Sequence, residues 1–67
     1  MNKIPESIDD LDIAIRTWNA LKVVKLNTVS ELLQYSEDDL LKLRNIGKKS
    51  IYELVKELEK YNFKLKQ

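Results

Sequence analysis

The sequence predicts an all-α fold, a compact bundle of four to five short helices, and three observations lead there. A hydroxyl residue followed three positions later by an acid, the usual start signal of a helix, recurs at Ser7-Ile8-Asp9-Asp10, Thr28-Val29-Ser30-Glu31 and Ser36-Glu37-Asp38-Asp39. Two longer stretches, around 13–24 and 48–61, carry apolar residues at helical spacing. No segment alternates apolar and polar residues for more than a few positions, as a half-buried strand does.

Residues 1–7 are polar, with Pro5 disfavouring helix before it, and read as a flexible tether to a folded unit at 8–65, with 66–67 as a tail. At roughly 100° per residue, the first long helix sets Ala14, Trp18 and Leu21 on one side and Arg16, Asn19, Ala20 and Val23 on the other. Asn27 and Tyr35-Ser36 supply the breaks before two short helices, whose apolar residues are Leu32-Leu33 and Leu40-Leu41 with Leu43. The last helix buries Ile51, Leu54, Val55 and Leu58, leaving Lys49, Ser50, Glu53, Lys56 and Lys60 largely outside. Residues 21–33 and 40–54 each read as helix, tight polar turn and helix. That loose echo fits a double helix-hairpin-helix, a SAM-like arrangement.

Composition removes several kinds of chemistry. The 67 residues hold no Cys and no His, so there is no disulfide, no thiol or imidazole catalyst and no zinc site of the usual kinds, and no cofactor is expected. The carboxylates are not paired for catalysis, and so small a core leaves little room for a water-excluding pocket, so an enzyme is not expected. No stretch approaches the roughly 20 apolar residues of a membrane span, and the start lacks a secretory apolar run, which makes a soluble, cytoplasmic protein the expectation. Twelve Lys and Arg against eleven Asp and Glu give +1, so any affinity for nucleic acid must come from a local patch.

Such a patch is available around the lone glycine, in Leu43-Arg44-Asn45-Ile46-Gly47-Lys48-Lys49-Ser50. Glycine tolerates positive φ and lets a backbone or a phosphate come close. The helix that begins after it turns free N–H groups outward, where anions are attracted. Two lysines and a serine in that first turn suit a nucleic-acid phosphate, although an ordinary turn with solvated lysines has the same composition. It is not a P-loop, since Leu43 and Arg44 stand where the earlier glycine belongs. Trp18 reads as a core residue, Tyr52 as partly buried with a solvated hydroxyl, and Glu37-Asp38-Asp39 as capping acids.

Ile8-Asp9-Asp10-Leu11-Asp12-Ile13, Arg16-Thr17-Trp18-Asn19-Ala20-Leu21-Lys22, Thr28-Val29-Ser30-Glu31-Leu32 and the glycine block together resemble the C-terminal domain of the bacterial RNA polymerase alpha subunit. The resemblance runs without a gap from about residue 8 to 65. Its most specific pieces are Arg-x-x-Asn-x-Leu-Lys and Arg-Asn-x-Gly-x-Lys-Ser. It implies binding across the minor groove of A·T-rich DNA upstream of promoters, with contacts to sigma factor and transcription activators, and to the polymerase core where the domain is tethered. Carried over by position, Arg16 enters the groove, Asn19 meets backbone or base edges, Gly47, Lys49 and Ser50 hold phosphates, and Glu53 orients the neighbouring cations. Ala20, Lys22 and Asn45 fall within the same matched blocks, and Asp10 and Asp12 match the acidic patch presented to sigma.

Ala20 replaces a small residue, often Cys, and Val24 and Lys25 alter the charge at the end of the first helix. The resemblance covers the C-terminal domain alone, so both an excised domain and a free-standing relative fit it. A protein-interaction module using the same surface is the alternative function. DNA binding requires that Arg16 and Lys49 converge on one side of the fold.

Overall fold

A computed structural model describes residues 4–67. After a 3-10 turn at Ile8–Asp10 come four helices: α1 (Ile15–Val23), α2 (Val29–Leu32), α3 (Glu37–Leu41) and α4 (Lys48–Glu59). The all-α expectation is met, and the only strand-like pairing among the described residues is two isolated bridges, Ser7 with Thr28 and Ser36 with Lys66. Residues 1–3 of the expected tether lie outside the described residues. Within its remainder the Glu6 carbonyl accepts from the Val29 N–H at 2.9 Å, and at the first residue of the folded unit the Ile8 N–H donates to the Asn27 carbonyl at 3.0 Å. At the other end the Lys66 N–H donates to the Tyr35 carbonyl.

All three start signals form complete capping boxes. Ser7, Thr28 and Ser36 accept from backbone amides within the turn they open, while the carboxylates of Asp10, Glu31 and Asp39 accept from the amides of those same hydroxyl residues. The long helices are shorter than expected. Helix α1 starts only after an extended Ala14 and ends in a left-handed Lys25, φ 64°, closed by Lys25 N–H to Lys22 C=O and Leu26 N–H to Leu21 C=O. This is the Schellman termination, so Lys25 rather than Asn27 makes the break. Asn62, φ 63°, ends the turn after α4 the same way, with Phe63 N–H on Leu58 C=O.

Every element feeds one core, with Ile8, Leu21, Leu32, Leu40, Leu54 and Leu58 all but fully buried. The α4 stripe is as the spacing predicts, Val55 being its half-buried edge. The α1 face is not. Thr17, Ala20 and Leu21 point inward and Ala14 is exposed, so Ala20 moves from the outer side to the core at 3% exposure. The helix is rotated because polar Thr17, which no apolar count selects, is satisfied inside by α4. Trp18 is half-buried against the core, its indole N–H donating to Asp9 Oδ1 at 2.6 Å. Tyr52 is more open than expected, 67% exposed under the Lys56 ammonium. No helix among the described residues is long and apolar enough to cross a membrane.

Candidate nucleic-acid interface

Helices α1 and α4 are joined along a polar seam. Glu53, in the second turn of α4, reaches the start of α1, where one carboxylate oxygen accepts from the Ala14 N–H at 2.7 Å and the other from the Thr17 hydroxyl at 2.7 Å. Thr17 also lies 3.2 Å from the Ser50 hydroxyl. The neighbours of these residues in sequence, Arg16 on α1 and Lys49 on α4, are both exposed.

On the outer side of α1 a shallow cleft is lined by Ile15, Arg16, Asn19, Ala20, Val23 and Asn45. Asn45 comes from the loop before α4 and has φ 69°, the left-handed conformation that Asn tolerates better than most residues. The sequence places that conformational freedom at Gly47 instead. Gly47 is extended, φ −114° and ψ −177°, and serves as the N-cap of α4 with no side chain to offer it. A Cβ built there meets nothing of the protein within 4 Å. Neither a positive φ nor internal crowding calls for glycine here; as an N-cap residue it leaves the α4 start open.

Charge separates the matched residues further. The cleft contains no acid, and among the described residues the only ion pairs are Lys22 with Asp9 and Lys60 with Glu57, so Arg16, Lys48 and Lys49 have no carboxylate within 4 Å. Lys22 is drawn elsewhere: its ammonium is 3.1 Å from Asp9, 3.4 Å from the Asn27 side chain and 5.4 Å from the Trp18 ring centre. The Trp18 N–H and the Lys22 ammonium hold the Asp9 carboxyl below its ordinary value. Glu53 is turned toward α1 and orients no cation through an ion pair. Arg16, Asn19, Asn45 and the edge of buried Ala20 thus share one cleft beside the α4 start, and Lys22 stands apart.

Asp10 and Asp12 are exposed. Asp10 is partly occupied as a cap on the Ser7 amide. The Asp12 side chain has no partner among the described residues, while its N–H donates to Glu57 at 2.9 Å. Burial pushes the Glu57 carboxyl up, but that N–H and the Lys60 ammonium outweigh it, so the net shift is downward. Periodicity misses one further cleft residue, Ile15, 75% exposed, whereas Val23, set on the outer side by the spacing, is 73% exposed there. A helix position that exposes an aliphatic side chain looks from sequence like one that buries it.

The family model for the C-terminal domain of the bacterial RNA polymerase alpha chain matches residues 1–60. The chain belongs to this family. Among its relatives, the DNA-directed RNA polymerase subunit alpha of Moorella thermoacetica is 47% identical over 60 residues, covering 90% of this chain and 19% of that protein. The same subunit of Anthoceros angustus is 48% identical over 54 residues, covering 81% of this chain and 16% of that protein. The NMR structure of the C-terminal domain of the RNA polymerase alpha subunit from Helicobacter pylori superposes with a TM-score of 0.79 at 28% identity, over 90% of this chain and 53% of that one. The chain spans about a fifth of the length of the curated relatives it matches. Membership in the alpha C-terminal domain family accords with the all-helical order.

Proposed function

We propose that this alpha C-terminal domain binds double-stranded DNA across the minor groove of A·T-rich tracts and supports transcription initiation. Narrow A-tract grooves carry enhanced negative potential that draws an inserted guanidinium, so the recognition reads shape more than base identity. Arg16 supplies that guanidinium, Asn19 and Asn45 meet the sugar-phosphate wall or base edges, and the amides opened by Gly47, with Lys49, hold a phosphate. The observation that carries the reading is the acid-free cleft joining Arg16, Asn19 and Asn45 beside an uncapped helix start whose glycine leaves open space. Asp12, with Asp10, faces sigma factor, and activators engage other parts of the surface. Where the domain is tethered to a polymerase core, the tether raises its effective concentration at promoters. The corresponding location is the cytoplasm, at the nucleoid.

Titration of A·T-rich and G·C-rich duplexes at two salt concentrations tests this. The A·T-rich duplex should bind more tightly, with log K falling by about 0.9 per phosphate neutralised for each tenfold rise in salt. Arg16→Ala should cost about 1–3 kcal/mol of duplex affinity without changing the melting curve, since the side chain is exposed. Flat, sequence-blind titrations would instead favour a module that docks a protein partner.

A further inference from the structure

Thr17 is the polar residue of α1 that is turned into the protein, at 2% exposure. Its hydroxyl crosses to α4, 2.7 Å from Glu53 Oε1 and 3.2 Å from Ser50 Oγ. A hydroxyl carries one hydrogen, and the shorter contact to a charged carboxylate takes it. The Ser50 hydroxyl therefore donates to the Thr17 oxygen, and the relay runs from Ser50 through Thr17 to Glu53. The second Glu53 oxygen is occupied by the Ala14 N–H. Both oxygens of Glu53 are thus occupied by donors from the start of α1.

We infer that Thr17 is a positioning residue that, with Glu53 and Ser50, locks the start of α1 to the first two turns of α4. Arg16 lies between Ala14 and Thr17, the two points where Glu53 grips α1. Ser50 is the third residue of α4, at the edge of its open N-terminus. The lock sets where the guanidinium stands relative to the amides opened by Gly47. It assigns Glu53 an inward task on α1. The consequence for DNA rests on the binding proposed above, whereas the lock itself is a property of the free domain.

Thr17→Val keeps the shape and removes the hydroxyl. With helical circular dichroism retained, it should lower affinity for an A·T-rich duplex about tenfold, within the range of couplings found inside one hydrogen-bond network. Thr17→Ser should restore affinity to within about twofold of the parent on the same grounds. In an Arg16→Ala background, Thr17→Val should change residual binding by less than about twofold, because its effect passes through Arg16. In the DNA-free domain, NMR should show faster amide exchange at Ala14 and lower backbone order at Arg16. Parent-like affinity in Thr17→Val, or a loss undiminished in the Arg16→Ala background, overturns the assignment. If the parent binds no duplex, the DNA reading fails by itself. The lock is then judged on Ala14 exchange and Arg16 order, and Thr17→Val leaving both unchanged overturns it. Should Thr17→Val not fold, Glu53→Gln, which turns one acceptor into a donor, carries the same measurements with the same expected changes.

Discussion

At Ser7, Thr28 and Ser36 a short helical segment begins with a hydroxyl and a carboxylate bonding each other's amides, whereas α1 and α4 begin at Ala14 and Gly47, which offer no side chain to the helix. The difference follows length. Segments of three, four and five residues are far below the ~12–15 at which an isolated helix becomes marginal in water, so their first amides need local partners. Nine- and twelve-residue helices with a buried face are held by packing and can leave their starts to other uses. The α1 start is lent to Glu53 on another helix. Among the described residues no side chain caps the α4 start, and there the lone glycine stands.

Breaking that difference at Gly47 should have the largest effect. Its extended backbone suits an N-cap residue, and a Cβ has room. In Gly47→Asp the new carboxylate can accept from the second- or third-residue amide of α4, raising stability by a few tenths to about 1 kcal/mol. The same carboxylate occupies and repels the anion position, so duplex affinity should fall about tenfold or more, worth ~1.4 kcal/mol. A variant that melts higher and binds DNA as the parent does would remove the α4 start from the interface.

The converse change is Ser36→Ala. It removes one half of a capping box, and thermal melting should report a loss of about 1 kcal/mol. Duplex affinity, measured well below the melting point, should be unchanged because α3 takes no part in the cleft. If affinity falls in step with stability, capped and open starts are not functionally distinct.

The same division explains what could be read from sequence. A capping box lies within four consecutive residues, so Ser7, Thr28 and Ser36 announce their helices directly. The α4 face is equally legible, because its inward positions are apolar. The α1 face is not, because its orientation depends on Thr17 meeting Glu53, 36 residues away, and an apolar count sees threonine as an outward residue. Ile15 misleads in the opposite direction, being aliphatic yet exposed. The matched blocks group Arg16, Asn19 and Asn45, and one cleft holds all three, but sequence could not show that Lys22 is engaged by Asp9 or that Asn45, not Gly47, takes the positive φ.

Acid should separate the two kinds of start with the smallest effect. Backbone amides of Asn27 and Thr28 hold the Glu31 carboxyl below its ordinary 4.5, and the Ser36 amide holds Asp39 below its ordinary 3.8. A carboxyl depressed in the folded state binds its proton more readily in the unfolded chain. Its contribution is therefore complete above the ordinary value and is lost as pH falls through the lower folded value. Lys60 is shifted the other way by Glu57, so its contribution is complete below its ordinary 10.5 and disappears only as pH rises through the raised value. With no histidine, the melting temperature should stay nearly flat between about pH 5 and 9 and fall below pH ~4.5. A Glu31→Gln, Asp39→Asn double variant should melt lower at neutral pH and lose less on acidification. The parent α4 start has no first-turn acid and adds nothing to that slope, whereas the gain in Gly47→Asp should vanish in acid as its new carboxylate is protonated. If the double variant keeps the parental acid slope, the caps at Thr28 and Ser36 do not carry the stability assigned to them.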